Sequence, residues 1–240
     1  MPGYIICTTP RSGSTLLCHL LRSSGVAGHP ESWFRHQNRA DWAKDWQITR
    51  ADGSYAWPDY LAAATKAATG PNGVHGMRLM WNMLGELVTD LGHAPLPDQA
   101  TLLATTFGPL HYIHLLRHDR VAQAISRYKA EVSGTWHLGF EEAMHPVQPT
   151  YDFAQINTYL AEAQADDSAW HHWFTVNAIT PYRLYYEDLA VAPLTTALGV
   201  LAQLNLTATK PLYAANIKMA DKVSSDWAAR FAHDARLANP

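Results

Sequence analysis

Tyr4-Ile5-Ile6-Cys7-Thr8-Thr9-Pro10-Arg11-Ser12-Gly13-Ser14-Thr15-Leu16-Leu17 is the stretch whose reading decides the fold. Tyr4 to Cys7 is a short apolar, partly β-branched run with the character of a buried strand, and Thr8-Thr9-Pro10 opens it into a loop. Leu16, Leu17, Leu20 and Leu21 then recur at helical spacing, and Gly25 stands where a C′ residue ends such a helix. A strand that passes through a short turn into a helix leaves the first helical amides, and the positive end of the helix dipole, facing whatever occupies the turn. An anion suits that place. Within the loop from Arg11 through Ser12 to Thr15, Gly13 allows close backbone approach, Ser14 and Thr15 offer hydroxyls, and Arg11 can set a fork of donors on phosphate oxygens. Ser and Thr are also the usual N-caps, so an ordinary capped helix is the other reading of the loop alone. A Walker A loop needs Lys after its last Gly, and Ser14 follows Gly13 here, which argues against an ATPase or kinase.

The same pattern returns further along. His111 to Leu116 (HYIHLL) reads as an apolar strand that runs into a charged loop and then a helix from about Asp119 to Lys129. Between the two patterns, Tyr60 to Ala68 reads as a helix, Gly70 to Gly73 as a turn and Val74 to Met80 as a strand, with helices near Leu84 to Leu91 and Asp98 to Phe107. Tyr151 to Val176 keeps a 3-or-4 apolar rhythm and predicts one long amphipathic helix. Arg183 to Tyr186 predicts a fourth strand, followed by helices over Leu194 to Leu204 and Asp226 to Arg236. Val26 to about Trp57, rich in Trp, His, Arg and Asn, reads as irregular with one short helix. Strands alternating with helices predict an α/β fold, a mostly parallel sheet between two helical layers, with ligands at the carboxyl ends of the strands.

Composition narrows the possibilities. The 240 residues, 48% apolar and 16% charged, suffice for one buried α/β core, so residues 1–240 are expected to form a single domain. A net charge of -3 with no basic tract argues against nucleic acid or anionic lipid as a partner. No apolar run approaches the roughly 20 residues of a membrane span, the start resembles no signal peptide, and two cysteines make no disulfide framework, so a cytoplasmic protein is expected. His111 with His114 and His171 with His172 make no convincing ligand set, so no metal is expected.

Two further segments bear on chemistry. In Leu116-Arg117-His118-Asp119-Arg120-Val121-Ala122-Gln123-Ala124-Ile125-Ser126, Arg117 ends a strand and Ser126 lies about two turns into the next helix, so the pair can grip a second phosphate; a surface charge and a packing residue are the alternatives. Tyr185-Tyr186-Glu187-Asp188-Leu189 places an aromatic at a strand's carboxyl end, against a base or in the core. Together the three segments resemble the sulfotransferases that use 3′-phosphoadenosine-5′-phosphosulfate (PAPS), above all the bacterial carbohydrate enzymes of the trehalose and nodulation-factor type. Gly25 to Glu31, Gly76 to Asn82 and Lys218 to Trp227 add to the likeness, which covers nearly the whole chain. The resemblance implies a P-loop-like sulfotransferase fold and transfer of the PAPS sulfuryl group to a hydroxyl of a carbohydrate or glycolipid-like acceptor, and it allows a homodimer. It implies that Arg11, Ser12, Gly13, Ser14 and Thr15 hold the 5′-phosphosulfate, that Arg117 and Ser126 hold the 3′-phosphate, and that Tyr186 lies near the adenine. Lys218 and Lys222 are candidates to close over the 3′-phosphate.

One position departs from the pattern. The segment His29-Pro30-Glu31-Ser32-Trp33-Phe34 has Ser32 where related sequences carry the Glu presumed to be the general base, so Glu31, one residue earlier, and His29 are the candidates. Trp33, Phe34, Arg78 and Trp81 are the residues expected to face the sulfuryl group or acceptor, although aromatic side chains here also suit a satellite core or subunit interface. A P-loop kinase-like phosphotransferase and a catalytically silent nucleotide-binding protein are the rival readings.

Overall fold

The computed structural model describes residues 3–136, 147–213 and 222–238. Four strands, β1 (Gly3–Thr8), β2 (Gly76–Met80), β3 (Leu110–Leu116) and β4 (Tyr182–Tyr185), make one sheet in the order β2-β1-β3-β4. All three pairings are parallel: Ile6 lies opposite both Arg78 and Ile113, and Leu115 lies opposite Leu184. The described helices are α1 (Ser14–Ser23), α2 (Arg39–Asp45), α3 (Trp57–Ala68), α4 (Trp81–Asp90), α5 (Gln99–Phe107), α6 (Arg120–Ser133), α7 (Phe153–Val176), α8 (Tyr186–Val191), α9 (Pro193–Gln203) and α10 (Lys222–Ala238).

The alternation of side chains along β1 assigns the two faces. Tyr4 and Ile6, with Ile113, Leu115 and Leu184, pack on Leu17, Leu20 and Leu21 of α1 and on Leu189, Val200 and Leu201 of α8 and α9. Ile5 and Cys7, with Met77 and Leu79, pack on α3, α4, α5 and α7 through Tyr60, Leu84, Leu103, Trp170 and Phe174. Both faces of the sheet are thus covered, which is why β1 reads as a continuous apolar run. A smaller cluster of Ile125 and Tyr128 on α6, Ile156 on α7 and Phe231 on α10 joins these three helices.

Most differences from the expected boundaries have local causes. Val74 stays outside β2 because its carbonyl accepts the Gly70 amide at 2.8 Å, closing the preceding turn. β4 ends at Tyr185, and Tyr186 opens α8 instead of extending the strand; Glu187 and Asp188 in that first turn suit the positive end of the helix. α3 begins at Trp57, ahead of the expected Tyr60, with Pro58 in its first turn, where a missing amide costs nothing. The irregular segment holds α2, preceded by a 3-10 turn at His36–Asn38. No helix among the described residues is long and apolar enough to cross a membrane.

His111 is exposed while His114 is 3% exposed, its ring against Phe174 with a centroid separation of 5.1 Å. Neither His114 ring nitrogen has a hydrogen-bond partner. Burial, then the charges of Arg183, Arg120 and His171, push its pKa down from 6.5 to about 4. The folded protein therefore keeps this ring neutral where an unfolded chain would protonate it, so unfolding takes up a proton and stability falls as pH drops from 6.5 toward 4. At about 1.4 kcal/mol per pH unit the loss from this group is of the order of 3 kcal/mol. Urea unfolding of His114→Phe should show a shallower loss between those pH values than the parent, and identical slopes would contradict this.

Candidate active site

β1 and β3 end side by side, with Thr8 opposite Leu115, so the turns that follow them start as neighbours at the carboxyl edge of the sheet. The Thr8 hydroxyl donates to the Leu115 carbonyl at 2.9 Å, which leaves Ser12 to donate its own hydroxyl to Thr8 Oγ1 at 2.5 Å. The Ser12 side chain is thereby directed inward. Arg11 has a φ of 63°, rare for a residue with a side chain, and Gly13 a φ of 85°. Gly13 is the N-cap of α1, and no side chain caps the helix. The ordinary capped helix is therefore not what forms: the first helical bond runs from the Leu17 amide to the Gly13 carbonyl at 3.2 Å, and the amides before it have no partner within the helix.

The second turn is stitched to the first. Arg117 Nη1 donates to the Arg11 carbonyl at 3.0 Å, and Arg11 Nε donates to Ser126 Oγ, also at 3.0 Å. Arg11 donates besides to the Trp136 carbonyl. Gln123, 1% exposed, sends Nε2 to Thr9 Oγ1 at 2.8 Å and to the Pro10 carbonyl at 2.7 Å. The third segment closes over both. A Cβ on Gly13 would stand 2.5 Å from Tyr186 Cδ2, so glycine is what lets that ring lie on the loop. The Arg117 guanidinium sits over the same ring, 4.4 Å from its centroid. Glu187 accepts the amides of His118 and Asp119 at 3.1 and 3.2 Å; burial alone would raise its pKa, but these two bonds lead the effects that lower it.

Gln123, Glu187 and Trp170 hold the turns in place, roles that the sequence alone does not assign them. Trp170 Nε1 donates to the Thr8 carbonyl at 3.1 Å from beneath the loop. The one available signal was for Gln123, three residues before Ser126 and hence on the same helix face.

This constellation has an electrostatic deficit. Burial depresses the pKa of Arg11, and the neighbouring Arg117 depresses it further; burial likewise depresses Arg117. Arg117 Nε is buried without a partner. An anion between the two turns would relieve the repulsion between the guanidinium groups, so the residues present fit a phosphate-bearing ligand.

On the acceptor side, Arg78 joins three groups: Nε to Ser32 Oγ at 2.7 Å, Nη1 to Thr15 Oγ1 at 2.8 Å and Nη2 to Glu31 Oε1 at 2.6 Å. Burial would raise the pKa of Glu31, yet Arg78, the Ser32 amide and Arg22 hold it below the ordinary range. His29 is exposed, and partial burial with the Arg22 charge lowers its pKa, so it is neutral near pH 7. The Trp33 indole donates to the His29 carbonyl at 2.9 Å, and its ring meets Trp42 and Trp46 at 5.2 and 5.8 Å. Phe34 requires a correction: at 1% exposure, between Trp57 and Phe107, it has no face to offer an acceptor. Trp81 is partly buried and packs edge-on against Trp170 at 5.2 Å, so core packing accounts for much of its ring. Lys218 lies outside the described residues, and Lys222 opens α10.

A parallel α/β sheet covered by helices on both faces, with two strand-turn-helix units meeting at its carboxyl edge, is the architecture of the P-loop-like sulfotransferase fold. The chain belongs to the Stf0 sulphotransferase family, whose family model matches residues 3–234, and is therefore a sulfotransferase. It is 27% identical to trehalose 2-sulfotransferase of Mycolicibacterium smegmatis, over 98% of this chain and 96% of that one. With the enzyme of the same name from Mycobacterium tuberculosis the identity is 26%, over 99% and 97% of the two chains. A sulfotransferase from Alicyclobacillus acidocaldarius shares the fold at a TM-score of 0.51 and 13% identity, over 98% of this chain and 92% of that one.

Gly13→Ala should cost about 1–3 kcal/mol, since the new Cβ meets Tyr186 in a backbone conformation that alanine resists. Denaturant unfolding measures it, and Tyr186→Ala in the same chain should recover part of the loss. Unchanged stability of Gly13→Ala would show that the ring does not rest on the loop.

Proposed function

We propose that this chain transfers the sulfuryl group of PAPS to a carbohydrate hydroxyl, with trehalose the first acceptor to try because both curated relatives carry its name. The observation that supports the donor is the joining of the two turns through Arg11, Arg117 and Ser126, beside a buried Arg117 donor that lacks a partner. In this reading the amides of Ser12 to Thr15, with the Ser14 and Thr15 hydroxyls and Arg11, hold the 5′-phosphosulfate, and Arg117 and Ser126 hold the 3′-phosphate against Tyr186. Lys218 and Lys222 close that end. Residues 1–240 act as one cytoplasmic domain that is able to pair as a homodimer.

The chemistry needs an in-line path and a stabilised leaving group. The acceptor oxygen forms the new O–S bond, the bond from sulfur to the bridging phosphate oxygen breaks, and adenosine 3′,5′-bisphosphate leaves with the electron pair. The acceptor proton passes to Glu31 or His29, and both are in a form able to take it: Glu31 ionised beside Arg78, His29 neutral. Arg11 and the helix N-terminus meet the charge that develops on the leaving phosphate.

Radiolabelled PAPS with trehalose should yield labelled sugar, and Arg11→Ala should lower that turnover at least about a hundredfold. Absence of label in trehalose and in a panel of other sugars would refute the acceptor class. Adenosine 3′,5′-bisphosphate, but not ATP with magnesium, should raise the melting temperature. Arg117→Ala should weaken calorimetric binding of the bisphosphate about ten- to a hundredfold; unchanged affinity would remove Arg117 from the site.

A further inference from the structure

Arg78 lies on β2, next to β1, and its side chain is 11% exposed. One guanidinium engages a residue in the first turn of α1, Thr15, and two consecutive residues of the 29–34 segment, Glu31 and Ser32. The backbone supports the same junction: the Arg78 amide donates to the Glu31 carbonyl at 3.0 Å, and Glu31 pairs with Met77 as a parallel bridge at the edge of β2.

An arginine N–H only donates, so each of these oxygens is an acceptor on the side facing Arg78. For a hydroxyl, that settles where its own proton goes. Thr15 and Ser32 must turn their O–H bonds away from the guanidinium, which leaves the Thr15 proton available to an anion at the uncapped first turn of α1. The Arg78 charge is meanwhile answered by Glu31, whose second oxygen lies 3.9 Å from Arg22. Arg78 is therefore suited to orient hydroxyls rather than to serve as a free counter-charge.

We propose that Arg78 is a positioning residue that joins the donor loop to the acceptor segment, holding the Thr15 hydroxyl as a donor to the 5′-phosphate and fixing Glu31 and Ser32 relative to it. This rests on the donor reading above, and it replaces the expectation that Arg78 itself faces the sulfuryl group or acceptor. The two differ in what a substitution does. If Arg78 acts through Thr15, removing either member of the pair removes the same interaction, whereas independent contacts to the ligand add.

The test is calorimetric titration of the full chain with adenosine 3′,5′-bisphosphate in the parent, Arg78→Lys, Thr15→Val and the double variant. Lys keeps a positive charge opposite Glu31, which protects the fold, but lacks the planar fork that reaches three oxygens. Each single substitution should weaken binding about tenfold, and the double variant should be no weaker than the singles by more than about twofold. Thr15→Ser, which restores the hydroxyl, should bind as the parent does. Single losses that multiply to about a hundredfold in the double variant, unchanged affinity in Arg78→Lys, or a Thr15→Ser loss equal to that of Thr15→Val would each overturn the assignment while leaving the donor reading intact. No binding by the parent would refute the donor reading and the assignment with it.

Discussion

Gln123 and Arg117 reach from the second turn into the first, and the site depends on that reach. Gln123 fastens Thr9 and Pro10 from a buried position, Arg117 fastens the Arg11 carbonyl, and Arg11 returns a bond to Ser126. These contacts exist because β1 and β3 are adjacent and parallel, so that two strand-turn-helix units deliver their turns to one edge. What results is a place where two half-buried guanidinium groups lie close enough to repel, and Arg117 Nε is buried without a partner. Such an arrangement is costly without an anion and favourable with one.

The segment bearing Glu31 is tied to the same edge by another route. Its bridge to Met77 makes it a partial edge strand beside β2, and Arg78 locks its side chains to α1. The segment bearing Glu31 and the first turn of α1 are thus connected through β2 and Arg78; in the proposed reading this connection holds acceptor and donor in the fixed relation that in-line transfer requires.

Much of this could be read in the residues alone, for identifiable reasons. β1, β3 and the leucines of α1 carry strong periodic signals because both sheet faces are buried, and Gly13 in a Ser-rich turn marks a tight approach. The fate of the aromatic residues was not legible. Phe34 and Trp33 are neighbours in sequence with similar chemistry, yet one is sealed against Phe107 and the other lies partly open beside Trp42, a distinction made by tertiary packing. Gln123 and Glu187 were equally hidden, since a polar residue in a helix reads as solvated until the opposing turn is in place. Tyr186 was read as the end of a strand, and its placement in the first turn of α8 is what brings its ring onto Gly13.

In the proposed reading a single nucleotide spans the two turns. A crystal structure of the protein with adenosine 3′,5′-bisphosphate tests it most directly. The 5′-phosphate should lie on the amides of residues 12–15, with the 3′-phosphate about 3 Å from the Arg117 and Ser126 side chains. A nucleotide that touched only one of these turns, or that bound elsewhere on the sheet, would contradict the account.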